Sequence, residues 1–224
     1  MLDVFNIAKP QNCDIQIFRG FASTAPGTEA RNWQTWNKPR GVSHVYMLLI
    51  GGGGQGDATN GGGSGAVTVW YGAAQNVPDS LALYVRGTTP SAWDTTVAYR
   101  STSGVPITLL TGQSASSSTG SPATTAGVFA ASGFYTSTAG QSNSGITPSA
   151  TTFLSAGTTN TGQTVTANYG YQTNITGVSG AGYFQLQPII VGVGSAGATS
   201  AGIGCGTNIN GTTGGPGMIL IASW

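Results

Sequence analysis

Apolar and polar positions along this chain alternate in short runs. "DIQIF" (14–18) alternates with period two. "VSHVYMLLI" (42–50) begins the same way and then turns continuously apolar, as a strand does on entering a core. "AVTVWY" (66–71), "LALYVR" (81–86), "TVAYR" (96–100) and "ITLLT" (107–111) follow, then "TTFLS" (151–155), "QTVTANY" (163–169), "YFQLQPIIVGV" (183–193) and "MILIAS" (218–223). These runs are rich in Val, Ile, Thr, Tyr and Phe and are bounded by Gly, Pro, Asn, Asp and Ser, which is the signature of strands and turns. No stretch carries a capped 3.6-residue apolar stripe. The pattern predicts an all-β protein, an antiparallel β-sandwich of jelly-roll type with long Gly/Ser/Thr-rich loops. Val45 to Ile50 should form a central strand, with 47–50 covered on both faces, and Ile219 to Ile221 a second buried strand. The stretch 114–149 reads as an elaborated loop region in which "VFAASGFY" packs locally.

Composition then narrows the partners. Charged residues are 6% of 224, against about 25% in an ordinary soluble domain. Residues 101–224 contain no Asp, Glu, Lys, Arg or His. A net charge of +1 without a basic cluster gives little phosphate neutralisation, so no nucleic acid is expected as a partner. The aromatic and β-branched content argues against disorder. No run approaches the roughly 20 apolar residues of a membrane span, and the first residues do not read as a secretory signal. Cys13 and Cys205 are either a disulfide or two separate buried thiols. The uncharged Ser/Thr/Asn/Gln/Gly surface suits a subunit that packs against copies of itself, in a trimer or a larger symmetric assembly.

Chemistry-bearing motifs are few. Gly51, Gly53 and Gly56 in "LLIGGGGQGD" satisfy the spacing of a dinucleotide-binding loop, but "DATNGGGSG" follows where that loop needs a helix. No cofactor is expected. His44 reads as a strand histidine with a hydrogen-bond partner. Asp57, Asp79 and Asp94 sit in turn-like stretches, where Asp bonds its own backbone. No metal-ligand cluster and no catalytic set stand out, and the chain is not expected to be an enzyme. The sequons at 174–176 and 210–212 are read as chance. Trp93 and Trp36 are the candidate glycan or subunit contacts. The alternative for Trp93 is a loop ring folded over the edge of the core.

The segment "WQTWNKPRGVSHVYMLLIGGGGQGD" (33–57), together with "GGPGMILIASW" (214–224), resembles the glycine-rich domains of bacteriophage virion proteins. The resemblance implies a virion location and a structural role as a spike, fibre, decoration or capsid-associated protein. Its partners would be copies of itself and other virion proteins. A carbohydrate-binding adhesin for host-surface glycans is the alternative. The Ser/Thr-rich middle departs from the many Gly-Gly-x repeats of such proteins, so strands are expected there instead of a packed lattice of polyglycine helices. Residues 1–20 hold several of the few charges and offer Phe5, Ile7, Ile17 and Phe18 as anchors. They are expected to form an attachment arm outside the sandwich, with 21–224 as a single glycine-rich β domain.

Overall fold

The computed structural model describes residues 14–20, 33–58, 60–87, 94–100, 104–115, 129, 132–140, 171–173, 189–191, 203–204, 206 and 214–224. Its strands are β1 (Asp14–Arg19), β2 (Trp33–Asn37), β3 (His44–Ile50), β4 (Val67–Ala73), β5 (Ser80–Tyr84), β6 (Thr95–Arg100), β7 (Pro106–Gly112), β8 (Gly133–Thr138), β9 (Tyr171–Thr173), β10 (Ile189–Val191) and β11 (Met218–Ser223). The described residues include a 3-10 turn at Ala74–Asn76.

The protein is all-β and antiparallel. One sheet has the order β1-β11-β3-β4-β8 and a second the order β2-β5-β6-β7, while β9 and β10 pair separately. Because β5, β6 and β7 are consecutive neighbours, the second sheet is mainly a meander, and the described strands do not by themselves trace a jelly roll. The two large sheets enclose one core. Val45, Met47, Leu49, Trp70, Ile219 and Ile221 meet Trp36, Leu81, Leu83, Val97 and Leu110. Period-two alternation explains which residues enter it. Leu48, Ile50 and Leu220 point to the opposite face and are fully buried there as well. The strand 47–50 is therefore covered on both sides, as its unbroken apolar run predicts.

Two expectations change. Residues 14–19 are an edge strand hydrogen-bonded to β11 along their whole length, so this part of the proposed arm belongs to the first sheet. Phe18 packs against the core and Ile17 faces outward, whereas Phe5 and Ile7 lie outside the described residues. Residues 133–138, read as loop, pair with β4 in full register. The run 151–155 lies outside the described residues, as do Cys13 and Cys205.

The amides of Gly51, Gly52, Gly53 and Gly54 donate in turn to Ala66 O, Ser114 Oγ, Gly215 O and Gly63 O, at 2.8–2.9 Å. Four successive donors reach three separate segments. A strand would send alternate donors to two neighbours in one plane. Here the four donors instead fan out to segments on different sides. The network continues from Gly65 N to Gly204 O and from Gly204 N to Pro216 O. Glycine is required by proximity and not by φ. A Cβ on Gly62, Gly65, Gly206 or Gly214 would overlap the carbonyl of Gly54, Gly51, Gly62 or Gly53 respectively. Closely packed glycine segments thus form a main-chain network at this end of the sheets. It is assembled from short segments far apart in sequence.

Arg86 fastens this array to the second sheet. Its side chain is buried, lies against Gly52, and donates through Nη1 to the carbonyls of Ala115 and Gly52. Its own carbonyl accepts from Gly217 N at 2.8 Å. Burial pulls the guanidinium below its ordinary pKa, while Asp94 and Tyr84 oppose that shift. Asp94 in turn accepts from Ser114 N at 2.7 Å. Burial holds its carboxyl above the usual range, against the Ser114 amide and Arg86.

Gly62→Ala or Gly214→Ala should destabilise the protein by about 3 kcal/mol or more, the upper end of overpacking costs. Gly104→Ala, with φ +77° and open space around it, should cost only the left-handed backbone penalty of about 1–2 kcal/mol. Urea unfolding compares them directly. Leu48→Ala and Leu220→Ala should each cost about 2–5 kcal/mol in the same assay.

Asp94 sets a pH dependence. A carboxyl whose pKa is raised by folding contributes stability that is fully present below the unfolded-chain value and lost as pH rises through the folded value. Relative to Asp94→Asn, which is neutral throughout, the wild type should gain stability between pH 7 and about 3.5. Parallel urea midpoints over that range would contradict this.

Candidate binding surfaces opposite the glycine array

Strand direction places the remaining chemistry. β3 and β5 run into the glycine array, and β11 runs out of it. Their other ends, with the β2–β3 turn and the end of β6, form the opposite pole. The sequence "WNKPRG" builds this pole. Trp36 pairs with Leu81 across β2–β5 and turns its ring into the core. Lys38 Nζ donates to Val77 O at 2.7 Å and to Ala74 O at 3.2 Å, and it pairs with Asp79 Oδ1 at 2.8 Å. This pairing holds the exposed Asp79 carboxyl below its ordinary pKa. Gly41 takes φ +79° at the turn, a conformation that a side chain would strain.

Two aromatic groupings lie here. His44, Tyr71 and Trp224 form a triangle of nearly parallel rings with centroids 5.7–5.9 Å apart. Trp224 is clamped to β3, since its carbonyl accepts from Ser43 N at 2.7 Å and from His44 N at 2.9 Å. His44 Nδ1 lies 3.0 Å from Ser43 Oγ, the strand histidine with a local partner that the sequence suggests. On β8, Phe134 pairs with Tyr71 and is 63% exposed, which extends the aromatic row to the sheet edge.

The second grouping is on the outer face of the other sheet. Trp33 tilts against Tyr84 with centroids 5.6 Å apart, and the Arg100 guanidinium sits 5.5 Å above the Trp33 ring. A groove of about 490 Å³ opens beside it, lined among others by Thr35, Asp79, Ser80, Ala82, Tyr99 and Arg100. A second groove, also about 490 Å³, adjoins it through Asp79 and runs along Lys38, Arg40 and Gln75. Both volumes lie in the range of small-ligand sites.

Of the two tryptophans singled out in the sequence, Trp36 is fully buried and cannot contact a glycan or another subunit. Strand alternation decides this, because Trp36 and Trp33 fall on opposite faces of β2 and Trp33 takes the outward side. Trp93 lies outside the described residues. The surface residues that sequence reasoning missed are Trp33, Tyr99, Arg100 and the His44–Tyr71–Trp224 triangle. Period two puts Trp33 and Thr35 on one face of β2 and Trp36 on the other, but which face is outward follows from the pairing of β2 with β5.

The carboxylates stay apart in their roles. Asp57 accepts from Asn60 N at 2.6 Å within one turn, Asp79 pairs with Lys38, and Asp94 holds the Ser114 amide. No group of three His, Cys, Asp or Glu suited to a metal ion occurs among the described residues. No helix among them is long and apolar enough to cross a membrane. Compared with protein-family models and with curated proteins, the sequence matches none.

Proposed function

We propose that this chain is a virion structural protein, of the capsid-associated, spike, fibre or decoration kind, that works by self-assembly. One observation carries the reading. The two segments on which the resemblance to phage glycine-rich domains rests are neighbours in a single hydrogen-bonded unit. β11 pairs with β3 over six residues, and Gly53 N bonds Gly215 O at 2.9 Å just beyond. The two segments thus depend on each other, since without β11 one edge of β3 and the Gly53 amide lose their partners.

The exposed edges support assembly. Among the described strands β7 and β8 end their sheets and carry no charged residue, and an edge of this kind can pair with another chain. Val105 beside β7 is 64% exposed and Ile107 within it 49%. These positions and Phe134 fall in the charge-free part of the chain, where copies meet without desolvating an ion. A second reading, an adhesin for host-surface glycans, draws on the polar groove beside Arg100.

Light scattering after size exclusion tests the first reading. The protein should run as a trimer or larger species whose mass is unchanged from about 0.05 to 1 M salt, because screening has no ion pairs to weaken at such an interface. Ile107→Lys combined with Phe134→Lys should shift it toward monomer while the circular dichroism stays that of a β protein. A wild-type monomer at every salt concentration would remove the assembly reading.

A further inference from the structure

We propose that the groove lined by Thr35, Asp79, Ser80, Ala82, Tyr99 and Arg100 binds a carboxylate-bearing saccharide, with the Arg100 guanidinium holding the carboxylate. This rests on the adhesin reading and names its ligand class.

The cations at this pole are not equivalent. Lys38 is committed to two carbonyls and to Asp79. Arg100 has no carboxylate within ion-pair distance among the described residues, where Lys38–Asp79 is the one such pair. Its guanidinium is held over the Trp33 ring at 5.5 Å. The contact with the ring leaves the guanidinium its N–H donors for a ligand. Their planar fork is matched to a carboxylate.

The rest of the groove suits the sugar ring. Ala82 gives a floor without bulk, because it faces outward between Thr35 on β2 and Ala98 on β6. Tyr99 borders the groove by its place on β6, and alternation turns its ring to the face of Val97, away from Ala98 and Arg100. The Thr35 and Ser80 hydroxyls donate and accept. Asp79 adds a carboxylate whose charge Lys38 already balances, and its side chain is almost fully exposed. It therefore accepts bonds from sugar hydroxyls. The same carboxylate repels a densely charged polyanion such as a sulfated polymer.

The complement of one guanidinium without a carboxylate partner, one balanced carboxylate and two hydroxyls is an acidic sugar. The adjoining groove shares Asp79 and carries an exposed Arg40, so a second acidic residue of the same chain has a place beside the first.

Calorimetric titration of the full chain decides the matter. The probes are a short oligogalacturonate, sialyllactose, a neutral galacto-oligosaccharide of similar length, and a dextran sulfate fragment. At least one carboxylated probe should bind, at least tenfold tighter than the neutral sugar, and more weakly as salt rises. Arg100→Ala should lower that affinity at least tenfold, Arg100→Lys should restore part of it, and Tyr99→Ala, whose ring lies on the other face of β6, should leave it unchanged. Both side chains are exposed, so unchanged circular dichroism and oligomer mass separate loss of binding from loss of fold.

Equal affinity for neutral and carboxylated sugars, or for wild type and Arg100→Ala, overturns the acidic-ligand inference and leaves the adhesin reading standing. Dextran sulfate binding as tightly as the carboxylated probes reduces the site to non-selective charge and also overturns it. No binding of any saccharide at millimolar concentration removes the inference and the adhesin reading together, while the assembly reading keeps its own test.

Discussion

Backbone carbonyls seated against the α-carbons of glycines in neighbouring segments are the contact on which the rest of this structure depends. At Gly51, Gly62, Gly65, Gly206 and Gly214 the adjoining chain comes so close that no side chain fits between. Weak Cα–H···O contacts follow from that proximity. More important, it lets each buried amide reach a carbonyl on another segment. Buried peptide groups must be paired, and here the pairing is made by loops that have no regular secondary structure. The interior at this end of the molecule is made of main chain, whereas between the sheets it is made of Leu, Ile, Val and Trp.

That division orders the molecule. The array joins β3, β4, β5, β7 and β11 at one end, with Arg86 reaching from the second sheet into it. A buried arginine costs desolvation that carbonyl partners only partly return. Its position is nevertheless constrained, because it bridges backbone that no hydrophobic side chain could bond. At the other end the strands are free to carry aromatic rings, and Lys38, Asp79, Tyr99 and Arg100 lie there.

The sequence made much of this legible, for identifiable reasons. The run Met47–Ile50 had no polar residue to give it an outward face, and it is buried on both sides. Alternation in 14–18 gave a strand, but its assignment to an arm came from position in the chain, and pairing with β11 overrode it. β8 was lost because Gly, Ser and Thr dominate "GFYTST", and its strand character comes from β4 alongside. The array is not legible because its segments lie up to about 160 residues apart, and local composition carries no record of long-range proximity. Trp36 was placed at the surface because no sequence pattern distinguished the inward face of β2 from the outward one. The groove required β2, β5 and β6 to be adjacent, which is a fact of topology.

Hydrogen–deuterium exchange resolved to single amides tests the central claim most directly. If the glycine segments are a packed interior, the amides of Gly51, Gly53, Gly54 and Gly65 should exchange as slowly as those of Leu48 and Leu49 in β3, through global unfolding. Exchange of those glycines at the rate of an unstructured chain, with β3 still protected, would show that the segments are loops on a conventional sandwich and would contradict the account.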